Sequence, residues 1–168
     1  MEEQCQARIA TLKTKLNFYP HTTISSIYLV KLPHHFENNG DLVVMEGLIN
    51  VPFVIARVFV VRAPEGAVRG QHAHKACAQF LTCPRGLVEI ECSDGSQSAK
   101  FELDHPNLGL YIPPGIWAEQ RYKTKDAALT VLCDRVYEPE DYIRDYSGYL
   151  TFRQELIARS KFGRKDES

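Results

Sequence analysis

Between residues 27 and 133 the chain is cut into short apolar or alternating runs, and this punctuation limits the fold more than any other feature. The runs cover residues 27–32, 42–45, 53–62, 80–82, 87–92, 100–103, 109–112, 117–122 and 128–133. Turn residues separate them: Asn38-Asn39-Gly40-Asp41, Pro64-Glu65-Gly66, Pro84-Arg85-Gly86, Ser93-Asp94-Gly95-Ser96 and Pro113-Pro114-Gly115. Short runs spaced this way predict an antiparallel sandwich or barrel, with Asp94-Gly95 as the strongest local hairpin signal. Helix is expected only at the ends. Ile9, Leu12 and Leu16 recur at helical spacing ahead of Pro20, and a second helix is expected over residues 150–159 before a charged, frayed tail. At 168 residues and 44% hydrophobic the chain suits one domain with a real core. It divides into an N-terminal arm (1–26), a β domain (27–152) and a C-terminal helix and tail (153–168), with no internal repeat or linker.

Composition excludes several classes of function. A net charge of −1 gives no electrostatic reason to expect a nucleic-acid partner. No apolar run approaches the roughly 20 residues of a membrane span, and the acidic start Met1-Glu2-Glu3-Gln4 is unlike a signal peptide. The five cysteines (Cys5, Cys77, Cys83, Cys92 and Cys133) are odd in number and form no CxxC pair. They read as reduced thiols in a cytoplasmic protein rather than as a zinc site.

The chemistry concentrates between Gly66 and Gly86. His72 and His74 stand two residues apart, so in a strand both imidazoles project from one face about 7 Å from each other. Such a pair is half of a metal site or a proton-handling pair, and it is costly to bury for packing alone. The spacing Gly66, five residues, His72-Ala73-His74, four residues, Gln79, six residues, Gly86 resembles the first motif of the cupins. That motif carries Glu where this chain has Gln79. The second cupin motif places a histidine ligand two residues after Pro-x-Gly, and here Pro113-Pro114-Gly115-Ile116-Trp117 leads to Ala118. The resemblance implies an all-β cupin jelly-roll barrel (RmlC-like) that has lost two of its four usual metal ligands. Two neutral nitrogens are a poor set for a divalent cation, which leaves the histidines to titrate near neutrality and move protons.

A closer resemblance spans residues 27–152. The segments Gly40-Asp41-Leu42-Val43-Val44-Met45-Glu46-Gly47, Val51-Pro52-Phe53, Arg57-Val58-Phe59, Arg69-Gly70-Gln71-His72-Ala73-His74-Lys75, Gly109-Leu110-Tyr111-Ile112-Pro113-Pro114 and Asp141-Tyr142-Ile143-Arg144-Asp145-Tyr146 follow the order seen in nucleotide-sugar 3,4-ketoisomerases, the WxcM-like cupins of dTDP-deoxysugar biosynthesis. The resemblance implies a homodimer using neither metal nor cofactor. Its members convert dTDP-4-keto-6-deoxyglucose to a 3-keto-6-deoxy sugar, in pathways that supply glycans such as lipopolysaccharide O-antigen. The isomerisation needs a base at C3 and an acid or relay on the C4 side, through an enediol, and His72 and His74 are assigned these two roles in either order. Arg57 and Arg69, on strands expected beside the histidines, are candidates to steady the enediolate or hold the diphosphate. Gln79 is placed at the sugar hydroxyls, and Tyr111 and Trp117 are candidates to stack on thymine.

Other residues carry less weight. Glu119 and Gln120 lie on alternate faces, so one of them faces inward, and Glu119 is taken as the substrate-facing residue. Many family members carry a tyrosine where this chain has Phe59-Val60, and Tyr111 or Tyr122 is a candidate substitute. His34, His35 and Lys75 are read as surface residues and His105 as a loop residue. Residues 141–146 are expected to pack structurally, with Arg144 bridging carboxylates or subunits. An unpaired apolar strand at 27–32 favours a dimer. Two alternatives stay open: a metal-dependent cupin enzyme and a non-catalytic nucleotide-sugar binder.

Overall fold

The structure, a computed structural model, describes residues 23–162. The expected helix around Ile9–Leu16 and the end of the charged tail lie outside these residues. A 3-10 turn at Ile24–Ser26 precedes twelve strands: β1 (Tyr28–Lys31), β2 (His34–Glu37), β3 (Gly40–Val43), β4 (Arg57–Arg62), β5 (Val68–His74), β6 (Gln79–Arg85), β7 (Val88–Ser93), β8 (Ser98–Leu103), β9 (Leu108–Ile112), β10 (Trp117–Tyr122), β11 (Ala128–Cys133) and β12 (Tyr142–Ile143). A long helix, α1 (Tyr146–Phe162), follows, and it starts earlier and ends later than its apolar spacing alone predicts.

Two five-stranded antiparallel sheets, ordered β1-β9-β6-β11-β4 and β12-β5-β10-β7-β8, make the expected all-β barrel. The core between them is built from alternate residues of both sheets, among them Leu81, Leu110 and Val131 from one and Val88, Ile90 and Leu103 from the other. Burying each such side chain stabilises the fold by about 1.5–3 kcal/mol. Parts of the outer faces are covered as well. Leu32, Val51 and Phe53, from the connections on either side of the β2–β3 hairpin, pack with Phe80, Tyr111 and Leu132 on the first sheet. On the second sheet Trp117 and Ala73 lie beneath Tyr149 of α1. The buried Arg153 guanidinium fastens α1 to the strand-connecting turns, with Nε donating to the Asp94 carbonyl at 2.8 Å.

Some local expectations change. The run at 53–62 becomes a strand only from Arg57, and Phe53 is instead a buried anchor just after Pro52. His34 is not a free surface residue: its Nε2 lies 2.6 Å from Asp41 across the β2–β3 hairpin, and its side chain is 6% exposed. His35 and Lys75 are exposed and His105 is in a loop, as expected.

One irregularity sets up the site. Ala118 pairs with His72 and Glu119 with Gly70, so Gln71 is an extra residue in β5, a β-bulge. Gly70 and Gln71 have φ of +79° and +53°. A Cβ on Gly70 would stand 2.9 Å from the Ala118 carbonyl oxygen, so both the backbone angle and the close approach require glycine there. In a regular strand Arg69 and His72, three apart, would face opposite ways. The bulge resets the alternation, and both line the same cavity.

Candidate active site

A cavity of about 430 Å³ opens at the end of the barrel between Phe59 and Val61 of β4 and the bulged strand β5. This volume is in the range of small-ligand sites. Arg69, His72, Gln79, Gln120, Tyr142 and Arg144 give its polar wall. Of the residues picked out in the sequence, His72, Arg69 and Gln79 come together here, with His74 immediately behind His72.

The two imidazoles touch. His72 Nε2 and His74 Nε2 are 3.2 Å apart, with the rings nearly perpendicular. His74 Nδ1 donates to Asp141 Oδ2 at 2.6 Å, and Asp141 Oδ1 accepts the Ala76 N–H at 2.7 Å. Since the carboxylate accepts, the His74 proton sits on Nδ1, and its Nε2 presents a lone pair toward His72. The three groups therefore form a chain, Asp141–His74–His72, running from the buried turn to the cavity wall. Tyr142 covers the pair, its ring centroid 4.4 Å from that of His74 and 5.0 Å from that of His72.

Burial decides the charge state of the histidines. It pulls His72 below 6.5, against the opposing effect of a backbone hydrogen bond at Gly70. His74 is pulled from 6.5 to about 4, because burial outweighs the hydrogen bond to Asp141. The expectation of titration near neutrality is thus corrected: both rings are neutral at pH 7 and able to accept a proton.

Several assignments move. Arg57 is not on a strand beside β5; it reaches across from β4 in the other sheet, where Nη2 donates to Tyr142 Oη at 3.2 Å and to Cys133 Sγ at 3.4 Å. Gln120, 7% exposed, takes the inward position, while Glu119 is on the opposite face and accepts the Trp117 indole N–H at 3.1 Å. Trp117 and Glu119 line a separate, smaller cleft beneath α1 with Tyr146. Tyr111 is also outside the histidine cavity, packed on the outer face of the first sheet 4.9 Å from the Tyr28 ring. Tyr111 and Trp117 are buried although they lie on outer sheet faces, so apolar alternation alone could not say which face looks into the barrel. Tyr122 is fully buried and its hydroxyl donates to the Val61 carbonyl, which leaves it no role as a substitute for the family tyrosine. Arg144 lies over the Tyr142 ring at 4.2 Å, at the cavity, rather than bridging carboxylates.

Sequence reasoning missed Asp141 and Tyr142 as members of the site. Asp141 is 67 residues from His74, and no local spacing announces it. The Asp-Tyr-Ile-Arg-Asp-Tyr segment was its one signal.

The cupin metal does not fit these residues. Ala118 stands opposite His72 in the strand register, so a methyl group occupies the place of an imidazole ligand. Gln79 offers a neutral amide, and the two histidine Nε2 atoms face each other. This donor set suits proton transfer and not a divalent cation.

Fold and site together define a cupin-type barrel with two contacting imidazoles beside a small-ligand cavity. Residues 25–154 match the family model FdtA: WxcM-like, C-terminal. A TDP-4-oxo-6-deoxy-alpha-D-glucose-3,4-oxoisomerase from Aneurinibacillus thermoaerophilus is 36% identical over 114 residues, covering 67% of this chain and 82% of the relative. The sugar 3,4-ketoisomerase QdtA from Thermoanaerobacterium thermosaccharolyticum, in complex with TDP, superposes with a TM-score of 0.75 at 33% identity, covering 79% of this chain and 97% of that one. A histidine-to-asparagine variant of the same enzyme, in complex with TDP-4-keto-6-deoxyglucose, gives 0.74 at 33% identity, covering 77% of this chain and 94% of that one. The chain belongs to the WxcM-like family, the nucleotide-sugar 3,4-ketoisomerases of the cupin superfamily.

A histidine NMR titration tests the charge state directly. Neither His72 nor His74 should titrate between pH 6.5 and 8, since burial depresses both from the 6.5 of a free imidazole. Below pH 6.5 the unfolded chain then binds more protons than the folded one, so these two groups make stability fall on acidification toward the folded-state value of about 4. Titration of either ring at 6.5 or above would contradict the assignment.

Proposed function

We propose that this chain moves the keto group of dTDP-4-keto-6-deoxyglucose from C4 to C3 by histidine acid–base catalysis. The observation that carries the reading is the chain of contacts Asp141–His74–His72 ending at the cavity wall. The names of the matched relatives support the substrate.

The reaction is a redistribution of protons. A base takes the C3 proton and the electrons move into a C3–C4 double bond, leaving an enediolate with its negative charge on the C4 oxygen. A proton is then delivered to C4, the C3 hydroxyl gives up its proton as C3 becomes the ketone, and the C4 oxygen is protonated. No electrons leave the sugar, so no redox cofactor is required. His72, at the cavity wall and neutral, is assigned the exchange with carbon. His74 sits behind it with its Nε2 lone pair in contact, and passes protons to and from His72 while Asp141 holds its tautomer. Arg69 and Arg144 supply positive charge for the enediolate and the diphosphate. Gln79 and Gln120 are placed to bind sugar hydroxyls. Phe59 lines the cavity where many relatives carry a hydroxyl, and Tyr142, adjacent to both rings, is the phenol closest to replacing it. Arg57 holds Tyr142 in place from behind.

The catalytic unit is taken as residues 27–152, with the helix continuing across that boundary. Among the described residues Cys77, Cys83, Cys92 and Cys133 are free thiols, which supports a cytoplasmic protein. No helix among them is long and apolar enough to cross a membrane. A homodimer completes the reading. The edge strands β1 and β4 expose Tyr28, Leu29, Val58 and Val60, side chains suited to cover by a second copy.

Incubation with dTDP-4-keto-6-deoxyglucose in deuterated water should exchange the C3 hydrogen and give a 3-keto product by NMR. His72→Asn and His74→Asn should each slow this by about 10²-fold or more. Retention of the C3 hydrogen with the unmutated protein would refute the reading. Light scattering should give twice the monomer mass, and a monomer would remove the dimer from the account.

A further inference from the structure

Behind the histidine pair lies a second grouping, which shares His74 and Asp141 with the relay and adds Cys77, a side chain the isomerisation does not use. His74, Cys77 and Asp141 bring one ligand atom each to within 4.8 Å of one another, and all three side chains are buried. Their residues are 5%, 3% and 7% exposed. We propose that these three residues form a binding site for a divalent transition metal of the zinc class, and that filling it switches the enzyme off. The inhibitory half rests on the assignment of His74 to catalysis; the binding half does not.

The donor set is what such an ion selects: an imidazole nitrogen, a thiolate and a carboxylate oxygen, which zinc binds at about 2.0–2.3 Å with a fourth position open. Tetrahedral packing at those lengths needs ligand atoms about 3.5 Å apart, so the longer separations contract and the 2.6 Å Nδ1–Oδ2 contact opens as the ion enters. The charge balances. Cys77 loses its thiol proton to solvent as the sulfur–metal bond forms, and the thiolate and the Asp141 carboxylate together neutralise the ion. A neutral complex is the arrangement a buried site tolerates. This is not the cupin metal position, which would use the Nε2 atoms of His72 and His74 on the cavity side. The nitrogen engaged here is Nδ1, which already faces Asp141 at 2.6 Å.

Inhibition follows from the tautomer. In the metal-free protein Nδ1 carries the His74 proton and Nε2 accepts. A metal on Nδ1 takes that lone pair, and the displaced proton moves to Nε2, where it points at His72 across the 3.2 Å contact. His74 then can no longer accept a proton from His72, and the relay stops. The ion also displaces the Nδ1–H···Asp141 hydrogen bond, so binding competes with the catalytic arrangement.

The probe is Co²⁺, followed by Zn²⁺, each introduced by prolonged dialysis of the whole protein because the site is buried. One cobalt per chain should bind, with the near-ultraviolet thiolate-to-cobalt charge-transfer absorption, and zinc should displace it. Zinc should also inhibit the isomerase reversibly, with activity restored by a chelator. Cys77→Ala should retain basal activity, lose the absorption band and need at least about tenfold more zinc for inhibition. Cys92→Ala, a buried thiol in the barrel core, should behave as wild type. If Cys77→Ala does not fold, Cys77→Ser serves, and the wild-type cobalt spectrum alone still decides ligation. Absence of the thiolate band, its survival without Cys77, or metal taken up elsewhere would overturn the proposal. Because that spectrum is recorded without substrate, a failed isomerase assay leaves it standing.

Discussion

The bond between Asp141 and His74 holds the site together. It ties the segment after the last barrel strand back onto β5, the strand that carries both histidines. Three further contacts clamp the same junction: the Ala76 N–H on Asp141 Oδ1, the Lys75 N–H on the Asp141 carbonyl at 2.9 Å, and the two-residue pairing of Tyr142 with His74 and Ile143 with Ala73. A buried carboxylate left without such partners would cost about 1–3 kcal/mol or more. With them, one aspartate sets the His74 tautomer, closes the turn after β5 and delivers Tyr142 over the imidazoles. The bulge at Gly70-Gln71 works at the other end of β5, turning Arg69 toward the same cavity. Function here depends on two departures from a plain strand, one at each end of seven residues.

The electrostatic consequence is a pair of neutral rings in contact. A metal-binding cupin recruits further donors around its histidines. Here the fourth position is the Ala118 methyl and the third an amide, and among the described residues the imidazoles meet each other, Asp141 and the backbone. Neutral imidazole accepts a proton from carbon, and a neighbour 3.2 Å away supplies somewhere for that proton to go. In the proposed mechanism the positive charge that an enediolate needs is assigned instead to Arg69 and Arg144 at the cavity wall.

Much of the barrel was legible because strand alternation and turn residues are local signals. Asp94-Gly95 marked its hairpin, and the apolar runs at 87–92, 109–112 and 128–133 marked β7, β9 and β11. β2 escaped because His34-His35-Phe36 reads as polar surface until Asp41 is known to lie across from it. The histidine pair was legible from its spacing, whereas its supporting aspartate was not, since the contact is made only by the folded chain. Tyr111, Trp117 and Glu119 were misplaced for one reason: helix α1 and the β1–β4 connections bury the outer faces too, so an apolar or aromatic residue no longer marks the interior. Trp117 and Glu119 share parity along β10, and with the tryptophan under the helix the inward neighbour had to be Gln120. The charge state of the histidines depends on burial, which no spacing reports.

The most direct measurement is steady-state kinetics of Asp141→Asn alongside TDP binding by the same variant. The substitution keeps shape and a hydrogen-bonding group but removes the carboxylate that fixes the Nδ1 proton. A fall in kcat of about 10²-fold or more, with TDP affinity and the folded core intact, is the predicted result. Wild-type kcat in this variant would show that the His74–Asp141 contact has no part in the chemistry.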